Sequence, residues 1–237
     1  MSASPTPFRS LALSAILGAA LCAAAPAAQA SLVEVRDGNG GNVFGAVGSA
    51  NITIRVDGSN KNVAAGAFAL QYRFTSPASA WIDFLTYCLE PDEWLGISGA
   101  TPMSGTLVSS AAGTTEYAAV ANSLARLYQT WFADSLTSST KTAAFQTAVW
   151  EIAYENGANP IDLDAGKFEL ETVNGVRTQA LSYLNVNGWV PSADVGVILR
   201  VGNQDLIVQV PAPASVALFG IALAGLGVAA RRRRAGG

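Results

Sequence analysis

Histidine is absent from this chain of 237 residues. That removes the commonest general base and the commonest metal ligand, so neither a Ser-His-Asp nor a Cys-His catalytic centre can be assembled. No metal, no cofactor and no enzymatic turnover are expected. Charged residues are sparse, at 13%. Cysteine occurs only twice, as Cys22 and Cys88. If the first falls in an export leader, the second has no intrachain disulfide partner.

The amino-terminal residues predict such a leader over 1–30. Arg9 supplies a positive start, residues 11–25 an apolar run, and Ala28-Gln29-Ala30 a small-x-small cleavage site before Ser31. Cys22 would then leave with it. It lacks the leucine three residues upstream that a lipidated cysteine requires, since that position is Ala19. Removing both chain ends takes away five of the 14 basic residues, Arg9 and Arg231 to Arg234, and none of the 17 acids. The domain between them carries 9 basic against 17 acidic residues, a net of about −8. Such a domain repels nucleic acid.

Residues 31–209 read as one α+β domain, an antiparallel sheet or sandwich framework with an inserted helical segment. Strands are expected over 31–36, 51–57, 67–75 and 81–89. In the last of these, period two puts Ile82, Phe84, Thr86 and Cys88 on one side. Residues 57–60 form a turn, and residues 37–42 a loop without the ligand spacing of a calcium site. Residues 101–115, rich in Ser, Gly and Thr, are expected to be a loop. A helix follows over 116–135, its stripe formed by Val120, Leu124, Leu127, Tyr128 and Trp131. A second begins after a cap at Ser139 or Thr140 and ends near Asn156-Gly157. On it Gln146 and Trp150 are four apart and therefore neighbours. Residues 159–175 read as loops, 177–184 as a short helix, and 195–200 with 206–210 as a hairpin.

The tail, 210–237, has three features in order: Pro211-Ala212-Pro213, fifteen apolar or glycine residues over 216–230, and the basic stop Arg231, Arg232, Arg233 and Arg234. The apolar run is a transmembrane helix that needs its flanks or a thinned bilayer to span about 30 Å. The arginines stay cytoplasmic and leave the domain outside. This order resembles the PEP-CTERM sorting signal of Gram-negative envelopes, with Ala212 in place of the middle glutamate. The resemblance implies an inner-membrane-anchored precursor facing the periplasm, recognised by an exosortase-type enzyme and delivered to the cell envelope or extracellular matrix.

Two short segments carry candidate chemistry: Tyr87-Cys88-Leu89 on a strand, and Phe145-Gln146-Thr147-Ala148-Val149-Trp150 on a helix. Together they resemble the Cys–Gln thioester domains at the tips of bacterial adhesins. The resemblance implies a covalent cross-link from the Cys88 sulfur to the Gln146 side-chain carbonyl, formed with loss of ammonia. Tyr87, Phe145 and Trp150 would shield it from water. Such a bond would close a loop of 58 positions, worth roughly 4 kcal/mol by analogy with a disulfide. It would also store an acyl group for single use against an extracellular polymer or protein bearing amines or hydroxyls. Two alternatives remain beside it: a structural envelope or matrix protein in which Cys88 and Gln146 merely pack, and a hydrolase built on Glu90 or Glu93 with Glu151 or Glu155.

Overall fold

The computed structural model describes residues 29–209, apart from 98, 100, 156–160, 173 and 191–193. Its strands are β1 (Ala30–Asp37), β2 (Ala50–Val56), β3 (Ser59–Ala65), β4 (Phe68–Phe74), β5 (Ile82–Cys88), β6 (Met103–Val108), β7 (Phe168–Leu170), β8 (Gly196–Leu199) and β9 (Leu206–Val208). Its helices are α1 (Ala121–Ser135), α2 (Ser139–Glu155) and α3 (Gly175–Tyr183). Six strands close a barrel in the order β1-β4-β5-β9-β8-β6, and β3-β2-β7 form a separate small sheet. Every strand pair is antiparallel. The antiparallel framework and the inserted helical segment, α1 to α3 between β6 and β8, are present as expected, while the sheet or sandwich is corrected to a closed barrel in a mostly β fold with three α-helices among the described residues.

Residues opposite one another in an antiparallel pair share a face. The pairs Val35↔Tyr72, Leu70↔Phe84, Leu107↔Ile198 and Cys88↔Leu206 thereby fix the inner face of the barrel wall. A cavity of about 460 Å³ lies against that face, lined by Leu70, Tyr72, Phe84, Leu107 and Ile198 among others. Tyr87 and Ile207, also paired, lie on the outer face and are fully buried beneath the helices.

Two strands depart from the expected loops, and one fills a stretch that had no assignment. β6 lies within 101–115. It runs tight against β8 at its middle, where a Cβ on Gly105 would sit 2.8 Å from Ile198 Cγ2. β7 is three residues long within 159–175. β3 has no apolar alternation. It forms because Asp57 and Gly58, both with positive φ, fold β2 back on itself and dictate the register. The expected alternation in β2 holds, with Ile52, Ile54 and Val56 buried.

The first helix starts five residues later than expected, because Thr114 accepts from the Tyr117 amide and holds residues 117–120 in turns. The cap of α2 is Ser138 rather than Ser139 or Thr140: its Oγ accepts from Lys141 N at 3.3 Å. From Thr142 to Ala153 every residue of α2 is buried, because α1 and α3 pack on it from one side and β2, β3, β5 and β7 from the other. Asp37 holds the 37–42 loop itself, accepting from the amides of Asn39 and Gly41. β1 begins at Ala30, one residue before the expected leader cleavage. The apolar leader core, Cys22 and the segment 210–237 lie outside the described residues. Among the described residues no helix is long and apolar enough to cross a membrane.

Candidate functional site

β4 begins at Phe68, opposite Thr86, so β5 runs two residues beyond its last partner on that side. The backbone of Cys88 there has no strand to bond. Gln146 takes the strand's place. Cys88 N–H donates to Gln146 Oε1 at 2.9 Å, and Gln146 Nε2–H donates to Cys88 O at 2.7 Å. Both residues are sealed from solvent, Cys88 at 0% and Gln146 at 1% exposure. A carboxamide is the side chain for this task, since it presents one acceptor and one donor side by side.

The sulfur has its own partners. Cys88 Sγ–H donates to Glu90 O at 3.1 Å, Glu90 N–H donates to the sulfur at 3.3 Å, and Trp150 Nε1–H does so at 3.5 Å. The spacing of four on α2 thus places Gln146 on the cysteine backbone and Trp150 on its sulfur. Cys88 is a free thiol here. Burial pushes its pKa well above the ordinary range, partly offset by the hydrogen bonds from Trp150 and at Glu90.

Tyr87 and Phe145 lie together on the other side of the wall. Their rings are 4.6 Å apart, within an aromatic cluster that includes Tyr128 and Tyr183. The Tyr87 hydroxyl sits between Ser135 Oγ at 2.7 Å and Thr142 Oγ1 at 2.9 Å. Burial raises its pKa to about 12. Of the three expected shielding residues, Trp150 touches the sulfur, while Tyr87 and Phe145 cement the helix layer to the barrel.

Sequence reasoning missed Asp205 and Tyr117, which lie beside this pair. Asp205 N–H donates to Glu90 Oε2 at 2.9 Å, and Tyr117 OH donates to Asp205 Oδ2 at 3.0 Å. Burial lifts the Glu90 carboxyl to about 7, with the nearby Asp205 carboxylate adding to the rise. A second cavity, of about 240 Å³, opens here between Leu89, Glu90, Glu116, Tyr117, Ala153 and Tyr154. No signal in the sequence tied residue 205 to residue 90; only the β5–β9 pairing does. Among the described residues no group of three or more Cys, Asp or Glu is arranged to hold a metal ion. Two carboxylates of the hydrolase alternative are turned to backbone: Glu151 Oε1 accepts from Asp162 N, and Glu155 Oε1 from Lys167 N, both at 2.7 Å.

The tail carries a sorting signal of its own. Residues 209–234 match the PEP-CTERM protein-sorting motif. A PEP-CTERM motif marks an exported, membrane-anchored precursor that an exosortase processes and that ends in the cell envelope, and the match holds with Ala212 between the two prolines. Apart from Gln209, the PEP-CTERM segment with Pro211, Pro213 and the four arginines lies outside the described residues. No curated protein and no solved structure matches the chain.

Proposed function

We propose that this PEP-CTERM protein is a single-use covalent binder. Its leader, residues 1–30, is removed on export. The domain 31–209 faces the periplasm while residues 210–237 hold the membrane, and processing then delivers it to the envelope or matrix. Within the domain, the Cys88 sulfur bonds to Gln146 Cδ. The carbon–nitrogen bond of the carboxamide breaks, and the thiol proton leaves with the amide nitrogen as ammonia. An amine or hydroxyl on an extracellular polymer or protein then attacks the same carbon. An amide or ester forms at Gln146 and the Cys88 thiol is restored.

The observation that carries this reading is the pair of hydrogen bonds holding the Gln146 carboxamide against Cys88, across 58 positions of chain, in a site closed to water. Such confinement can supply several kcal/mol of the barrier by proximity alone. Cys88 N–H, already on Oε1 at 2.9 Å, is placed to stabilise an oxyanion on that oxygen.

The test is the intact mass of the purified exported protein beside its Cys88→Ala variant. The expected result is a parent lighter by one ammonia, with the deficit gone in the variant. Equal agreement of both masses with their sequences would refute the cross-link. A structural role in the envelope, without reactivity, is favoured by one specific fact. Both polar atoms of the carboxamide are already used by the Cys88 backbone, and condensation gives up the Nε2 bond at 2.7 Å. The same mass measurement separates the two.

A further inference from the structure

Trp150 was expected to shield the bond from water. Its indole nitrogen, however, is aimed at the sulfur, 3.5 Å away, and that sulfur also receives the Glu90 N–H at 3.3 Å. Two N–H donors converging on one buried sulfur do little for a neutral thioester, which is a poor acceptor. They act once the sulfur takes up negative charge.

We infer that Trp150 is a reactive-site residue: its indole N–H stabilises the Cys88 sulfur as it leaves Gln146. The inference rests on the thioester reading. When an amine attacks, its nitrogen bonds to Gln146 Cδ, the carbon–sulfur bond breaks, and the electron pair goes to Cys88 Sγ. The proton lost by the attacking nitrogen ends on that sulfur, giving amide and thiol. The leaving sulfur meets an unfavourable setting. It is buried, and the Glu90 and Asp205 carboxyls nearby oppose a further negative charge. The Glu90 donor is backbone and present in any variant. Trp150 is the side chain that opposes those penalties, and its position one turn after Gln146 places it there without further adjustment.

The experiment uses the full exported chain in detergent, with methylamine as the probe and intact mass as the readout over time. Trp150→Phe keeps an aromatic ring but loses the donor. A second variant carries the benzothiophene analogue of tryptophan at position 150, which keeps the bicyclic shape packed against Phe168 and replaces only the N–H. Both should retain the mass deficit of one ammonia and gain methylamine about 10- to 100-fold more slowly than the parent, the range for losing a hydrogen bond to a charged group. A parental rate in the analogue, with its deficit intact, overturns the inference and leaves the thioester standing. A parent without the deficit removes the thioester and the inference with it. If Trp150→Phe does not fold, the analogue decides alone.

Discussion

Helix α2 meets unpaired backbone at two places. Near its middle, Gln146 offers an amide to Cys88, whose N–H and C=O both need partners. Near its end, Glu151 and Glu155 offer carboxylates to the amides of Asp162, Lys167 and Phe168, where only donors need partners. The difference is one of charge and completeness. The carboxamide is neutral and matched on both atoms at every pH. Glu151 is matched on one oxygen, while its Oε2 has no hydrogen-bond partner among the described residues, and burial raises its carboxyl from 4.5 to about 7. The first junction carries no titrating group; the second is sensitive to protons.

The largest effect should come from breaking the first junction. Gln146→Ala leaves two buried backbone groups without partners, each worth about 1–3 kcal/mol. Cys88→Ala keeps both groups and the carboxamide that serves them. Urea unfolding should therefore place Gln146→Ala about 2–5 kcal/mol below Cys88→Ala. Equal stability of the two variants would mean that the carboxamide does not act as a surrogate strand.

The second junction should respond to pH rather than to deletion. An acid whose pKa is higher in the folded state holds its proton there while the unfolded chain has lost it. Native stability from Glu151 is then greatest below 4.5, falls as pH rises towards 7, and is flat above. Glu90, raised to about 7 in the same direction by burial, adds to the same fall. Glu151→Gln keeps the acceptor for Asp162 and removes the charge. It should gain about 2 kcal/mol over the parent at neutral pH and little in acid, flattening the profile. An unchanged slope in the variant would place the proton sensitivity elsewhere.

What the sequence disclosed follows from the same contrast between local and imposed structure. Cys88 at the end of a strand, and Gln146 beside Trp150 on a helix, could be read from period two and period four. The β8–β9 hairpin was legible too, because alternation and turn residues are local. β3 and β6 were not: β3 has no apolar alternation, β6 carries Ser104, Gly105 and Thr106 within a Ser/Gly/Thr-rich stretch, and the place of each is set by partners, the Asp57-Gly58 turn for one and β1 with β8 for the other. Closure of the barrel rests on two residue pairs between β5 and β9, which no sequence window contains. The bonding of Gln146 to the backbone of Cys88, rather than to its side chain, depends on where β4 begins. Asp205 reaches Glu90 only through the same β5–β9 seam.

The smallest effect sharpens the comparison from the opposite side of the barrel wall. The Tyr87 hydroxyl is as buried as Gln146, yet its neighbours are served twice. Ser135 Oγ also donates to Phe132 O at 2.7 Å, and Thr142 Oγ1 also accepts from Ala67 N at 2.8 Å. Tyr87→Phe keeps the ring against Phe145 and strands neither hydroxyl. The loss should be about 1 kcal/mol, the net worth of a single replaceable hydrogen bond. A drop as large as that of Gln146→Ala would show that the hydroxyl triad, rather than the surrogate strand, holds α2 on the barrel. Redundant partners make a buried polar group tolerant of substitution; Gln146 has no such reserve, and that is why the cysteine strand depends on it.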